Sequence, residues 1–247
     1  MKQINTFQRI IIAAFTTLTA MILIFTTLYS HSGPALYLKF GVRAGMLLTV
    51  ILLNKKFKEQ KYMLVAFFFT FLSDYFFVLL RVNNPDLKNR EMYGMLGFIL
   101  AYIFIILAFK SHFKLGKKEA FTIIPFVLIF TLVLVSLREY AVGFMFWAAI
   151  VLGVVLCVTG MVMVSSIFTG YYRKSVAYRI AISGIILFLS DMVVAFSIFH
   201  PAYKGFLLWK ENIIWVTYML GWTLLLSVMA EIELTDTNNL SAHNAMS

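Results

Sequence analysis

Residues 184–199 read GIILFLSDMVVAFSIF, an apolar stretch that fills most of a membrane span and is broken by one acid, Asp191. The four residues ending at that acid, Phe188-Leu189-Ser190-Asp191, occur a second time as Phe71-Leu72-Ser73-Asp74, again inside an apolar run. An Asp in the middle of a span costs about 2.5–3.5 kcal/mol on insertion scales, and such residues usually face a polar interior and carry function. Two copies of one tetrapeptide point to two related positions rather than one accident.

The rest of the chain reads the same way. It has 247 residues, 62% hydrophobic and 13% charged, with a mean hydropathy of +0.89, which excludes a soluble globular domain. A helical span needs about 20 residues. Apolar runs of that order lie at about 10–29, 35–53, 62–81, 92–109, 119–137, 141–168, 176–199 and 210–231. The expected fold is therefore all-α: a polytopic membrane protein with an eight-transmembrane-helix bundle. The first run follows Lys2 and Arg9, is about 20 residues long and has no small-residue cleavage site after it, so it reads as a retained helix. One bundle over residues 1–231 is expected, followed by a disordered cytoplasmic tail over 232–247, where hydrophobicity is lost.

Basic residues of short connections stay on the cytoplasmic side. The N-terminus and the second, fourth and sixth connections carry 13 Lys and Arg, against six in the other connections, which predicts both termini in the cytoplasm. An anionic inner leaflet accounts for the net charge of +10 without nucleic acid, and the expected location is a bacterial inner membrane. The single Cys157 lies in the sixth span and reads as packing. His31, His112, His200 and His243 fall in loops or the tail without metal-ligand spacing, so no metal and no cofactor is expected. Gly41 and Gly45 form a GxxxG, which most often marks close helix contact.

With both termini inside, the third and seventh spans run in the same direction, and helix rise places Asp74 and Asp191 at one depth, about 10–12 Å below the outer surface. Spans 1–4 and 5–8 then form two possible four-helix repeats that face their acids across a central cavity. Lys39 and Arg43 lie one helical turn apart in the second span, roughly 6–12 Å below the same surface. Either they complete a polar site with the acids, or Lys39 snorkels outward while Arg43 pairs permanently with Asp74. Tyr102 and Tyr218 reach the same layer, as site residues or as ordinary packing. Ser73 and Ser190 either orient the neighbouring carboxylates or bond back to their own helix, the commoner behaviour of Ser in a span.

The stretches KFGVRAGMLLTVIL (39–52), FLSDYFFVLL (71–80), GMLGFILAYIFIILAF (94–109), GIILFLSDMVVAFSIF (184–199) and VTYMLG (216–221) resemble the YhhN-type integral membrane proteins, which include lysoplasmalogenase. The most specific element is a GxxLFxxSDxxxAxxxF pattern, met by Gly184, Leu187, Phe188, Ser190, Asp191, Ala195 and Phe199. The chain departs from residues common in the family at Phe40, at Tyr102 and near Trp222. The resemblance implies hydrolysis of the vinyl ether bond of a lysoplasmalogen, a lysophospholipid substrate, with Asp74 and Asp191 as the catalytic pair. The chemistry suits two acids. Two close carboxylates cannot both ionise cheaply, so one can keep its proton and act as general acid while the other stabilises the cation and activates water. Lys39 and Arg43 would then hold the substrate phosphate. A secondary transporter using the Asp pair for proton or cation coupling is the alternative, because carriers also place acids at a repeat interface.

Overall fold

The structure is a computed structural model and describes residues 5–28, 33–84, 87, 90–110, 113, 116–204 and 212–234. Its main helices are α1 (Thr6–Leu28), α2 (Gly33–Leu52), α3 (Lys58–Asp74), α4 (Arg90–Phe109), α5 (Lys117–Leu137), α6 (Phe144–Ser165), α7 (Lys174–Phe199) and α8 (Ile214–Met229). Seven of them are long and apolar enough to cross a membrane, so the chain is an all-helical, multi-pass integral membrane protein. α8, at 16 residues, is shorter. It rises about 24 Å, less than the hydrocarbon thickness of about 30 Å.

Boundaries shift where polar side chains close a helix end. The third span was expected from about residue 62, yet α3 starts at Lys58, because Gln60 Oε1 accepts the Lys56 and Phe57 backbone N–H groups at 2.8 and 3.1 Å. Beyond Asp74 the helix continues as a π-helical turn over Tyr75–Leu79 and a short α turn over Leu80–Asn83. At the other terminus the packed chain runs past the expected limit of 231. Leu234 is buried, its carbonyl accepts the Arg173 N–H at 3.1 Å, and Glu233 pairs with Arg173 at 3.1 Å. Residues 235–247, where the remainder of the expected disordered tail falls, lie outside the described residues.

The helices α1, α2, α3, α4, α6, α7 and α8 pack in that order into a closed ring, with α5 outside it against α6 and α7. The most extensive pairings are α3 with α4 and α7 with α8. Small residues set the first of these. A Cβ at Gly97 would lie 2.3 Å from Ser73 Oγ, so the α4 backbone rests directly on α3. α5 is seated by two rings over glycines of α6: a Cβ at Gly153 would fall 2.0 Å from the Phe130 ring, and one at Gly160 2.6 Å from the Phe126 ring. Gly41 and Gly45 behave differently from expectation. A Cβ at either meets nothing within 4 Å, because α2 turns its opposite face, with Lys39, Val42, Arg43, Met46 and Val50, into the protein.

One end of the ring is tied by polar groups. Glu231, just past α8, accepts Gln8 Nε2 of α1 at 2.7 Å and pairs with Arg179 of α7 at 2.6 Å. Gln60 Nε2 of α3 donates to the Met229 and Glu231 carbonyls at 2.9 and 3.0 Å, and Arg179 also donates to the Ser227 carbonyl at 3.1 Å. Arg179 is thus a buried residue of α7, not a residue of the sixth connection.

Candidate functional site

The site is built where α3 and α7, the two helices carrying FLSD, pass the buried face of α2. Residues 39, 42, 43, 46 and 50 of α2 form an inward stripe at helical spacing, and it carries two cations. Lys39 and Arg43 are 0% and 2% exposed. Arg43 Nε donates to Asp74 Oδ2 at 2.7 Å, an ion pair with both side chains buried. The guanidinium is enclosed by aromatic faces of α8, 4.8 Å from the Tyr218 ring centroid and 5.2 Å from that of Trp222. Its Nη1 donates to Met46 Sδ at 3.2 Å. Lys39 Nζ lies 5.0 Å over the Trp215 ring.

Each acid also accepts a tyrosine hydroxyl. Tyr218 of α8 donates to Asp74 Oδ2 at 2.7 Å, and Tyr102 of α4 donates to Asp191 Oδ2. The exchange is crossed: the acid of the first half takes its hydroxyl from the second half, and the reverse. Phe98 packs against both tyrosine rings, with centroids 6.4 Å from Tyr102 and 6.0 Å from Tyr218, and so spaces the two pairs. In both carboxyls Oδ2 is the oxygen held, which leaves Oδ1 unengaged by described residues.

The serines serve packing. Ser73 Oγ donates back to the Phe69 carbonyl at 2.9 Å and touches α4 at Gly97. Ser190 Oγ reaches across to the Ile214 carbonyl of α8 at 3.4 Å. Neither bonds a carboxylate. The offset between the two acids, 74 to 191, is the offset between these partners, 97 to 214, so the two serines occupy equivalent seats between the third and fourth helices of each half.

Asp74 and Asp191 both face a cavity of about 440 Å³, walled by α2, the π-helical turn, α4, α7 and α8. It runs from Arg90 and Glu91, at the start of α4, to the acids, with Phe98 and Tyr218 at its floor. Eight residues of helix separate Arg90 from Phe98, a depth of about 12 Å. Lys39 and Arg43 are not in its wall. They stand behind the aromatic rings and the Asp74 carboxylate, so their sequence-based role as phosphate contacts has no counterpart in this geometry.

The two acids differ in one respect. Asp74 has a cation at 2.7 Å, whereas no cation lies within ion-pair distance of Asp191 among the described residues. A buried carboxylate next to a guanidinium, which is always protonated, is held as the anion. A buried carboxyl with no cation is far less costly as the neutral acid.

Several site residues carried no signal in the sequence. The π-helical turn after Asp74 rotates Phe77 and Val78 into the cavity wall, and such turns are frequent at functional sites. Trp215 lines the cavity and covers Lys39. Ser197 lines it too, and its buried Oγ has no hydrogen-bond partner among the described residues. A serine in a span ordinarily bonds its own helix, so nothing in the sequence separated Ser197 from the rest.

No curated protein and no solved structure matches the chain. A family model does, over residues 35–229, which takes in the acids, both cations, both tyrosines and the whole of the cavity wall. The chain belongs to the YhhN family.

Proposed function

We propose that the protein is an ether hydrolase of lysoplasmalogens: it adds water across the vinyl ether bond and releases a fatty aldehyde and a glycerophospho-alcohol. The observation that carries this reading is the pair of acids at the floor of one cavity, one ion-paired and the other not. In this scheme Asp191 is the general acid. It transfers its proton to the β-carbon of the vinyl ether, and the α-carbon and its oxygen become an oxocarbenium ion. Asp74, held as the anion by Arg43, stabilises that cation and takes a proton from the attacking water, giving a hemiacetal. Asp74 then returns the proton to the departing glycerol oxygen, the hemiacetal hydroxyl gives its proton to Asp191, and the C–O bond breaks. Both acids are restored, and the sum is substrate plus water to aldehyde plus alcohol. General acid–base catalysis of this kind is worth about 10²–10⁴ in rate.

The same reading assigns the remaining parts. Tyr102 and Tyr218 hold each carboxyl by one oxygen and leave the other for chemistry. Arg43 acts as the counter-charge of Asp74, and Lys39 adds positive potential behind Trp215. The headgroup then occupies the mouth, where Arg90 suits a phosphate and Ser197 Oγ a glycerol oxygen. We further propose that α8 is an eighth span, that both termini are cytoplasmic and the mouth faces outward, and that the membrane is a bacterial inner one; the asymmetry of basic residues, 12 to six once Arg179 is counted inside α7, supports this orientation.

The test is aldehyde release from alkenyl-lysophosphatidylethanolamine by purified protein in liposomes, compared with Asp74→Asn and Asp191→Asn. Release by the wild type alone is expected. Release that persists in either variant removes the dyad, and no release from a folded wild type removes the hydrolase.

A further inference from the structure

Beside the polar cavity lies a second, narrow one between α4, α5, α6 and α7, and its wall is almost wholly apolar. It runs under α5 and α6, past Phe130, Leu134, Ala149, Leu152 and Ala195. The two cavities share a wall. Phe77, Phe98, Val194 and Ile198 belong to both walls, and so does a single ionisable residue, Asp191. Asp191 therefore stands on the boundary between a chamber with polar groups and an apolar cleft.

We infer that this cleft binds the hydrocarbon chain of a single-chain lipid whose polar end occupies the neighbouring cavity, and that it sets which chain lengths the protein accepts. The inference rests on the hydrolase reading for the identity of the lipid, but the shape stands on its own. A molecule with one long apolar arm and one polar arm matches two adjoining chambers of those characters, with the atom between its arms at their shared wall. In an alkenyl lysolipid that atom belongs to the vinyl ether, and the ionisable residue at that wall is Asp191.

The outer wall of the cleft is α5, which lies outside the ring and has its main contacts with α6 and α7. Phe130 of α5 projects across the cleft onto Gly153, a seat open only because Gly153 has no side chain. Phe130 is half-buried, so its removal widens the cleft at limited cost to the fold. Ala195, on α7, is half-buried and lines the cleft but not the polar cavity, so a larger side chain there fills one chamber and spares the other.

The test pairs Ala195→Phe with Phe130→Ala and uses two readouts. In the first, a non-hydrolysable alkyl lysophospholipid with a photoreactive group at its chain terminus is crosslinked to the full-length protein in liposomes, and the labelled peptides are mapped. Label on the facing segments of α5 and α6 is expected from the wild type, with at least a tenfold loss in Ala195→Phe, about the effect of unburying two methylenes. Label spread over the outward faces of the bundle, or unchanged in Ala195→Phe, overturns the inference. In the second, aldehyde release is followed over a series of alkenyl chain lengths. Ala195→Phe is expected to raise KM for long chains at least tenfold more than for short ones, and Phe130→Ala to extend the accepted range. Equal effects on long and short chains overturn the inference. Cleft labelling without aldehyde leaves the chain site standing and removes the hydrolase; aldehyde without cleft labelling does the opposite.

Discussion

The two FLSD segments have the same letters and different company. In the first half, Asp74 is met by Arg43 from α2 and Tyr218 from α8, and the helix beyond it loosens into a π-helical turn. In the second half, Asp191 is met among the described residues by Tyr102 alone, and α7 continues as regular α-helix to Phe199. The offset of 117 that carries Asp74 to Asp191 carries Arg43 to Gly160, a residue covered by the Phe126 ring instead of bearing a charge. The same tetrapeptide therefore sits in two different surroundings, one with a cation and one without among the described residues. Under the proposed reaction, that difference is what divides the roles of the two acids.

That comparison can be broken most severely at the acids. Asp191→Asn and Asp74→Asn are each expected to lower kcat by about 10³ or more, since each removes a proton-transfer group. Their stabilities should differ. Asp74→Asn strands a buried guanidinium and should lower the unfolding midpoint in detergent, whereas Asp191→Asn leaves no charge behind and should unfold near the wild type. Equal midpoints would remove the distinction drawn here between the two sites.

Arg43→Met comes next. It leaves Asp74 as an uncompensated buried charge, for which a loss of about 3–5 kcal/mol is expected. Combining it with Asp74→Asn should recover much of that loss, and a double-mutant cycle measures the coupling. A cycle that shows simple additivity would contradict the ion pair.

The tyrosines give a smaller and sharper contrast. Tyr102→Phe removes the hydrogen-bond partner that Asp191 has among the described residues, whereas Tyr218→Phe leaves Asp74 its arginine. The expected loss in kcat/KM is about tenfold or more for Tyr102→Phe and less for Tyr218→Phe, in line with about 1–3 kcal/mol for a buried polar group left unsatisfied. The reverse order would assign the acid's role to Asp74. Smallest of all, Ser73→Ala and Ser190→Ala should each change stability by about 1 kcal/mol or less and leave turnover alone, because neither serine bonds a carboxylate.

Much of this was legible in the chain. Hydropathy marks the helices, because a span must bury its backbone bonds within itself and so writes about 20 apolar residues in a row. The two acids and the Lys39, Arg43 pair stand out for the converse reason, that charge inside such a run is costly. The pairing of Arg43 with Asp74 is in the structure, but the outward snorkelling of Lys39 that went with it is not, because Lys39 is fully buried over the Trp215 ring. What stayed hidden depends on contacts distant in sequence. Gln8 and Glu231 are 223 positions apart, Tyr218 and Asp74 are 144 apart, and no local pattern announces either bond. The π-helical turn was hidden for another reason: Tyr75–Leu79 is as apolar as any α-helical turn around it.

Those distances in sequence have a consequence for biosynthesis. The Arg43–Asp74 ion pair is complete once the third helix is in place, but Tyr218 follows Asp74 by 144 residues, in α8, and the polar tie at the ring's end waits for Glu231. A nascent chain therefore carries that ion pair from an early stage and has no finished chamber until α8 and Glu231 have been made. A C-terminal truncation that removes Glu231 would release the ends of α1 and α7 together, 223 and 52 residues away, so a protease acting on that short segment would unmake the site without touching any residue in it.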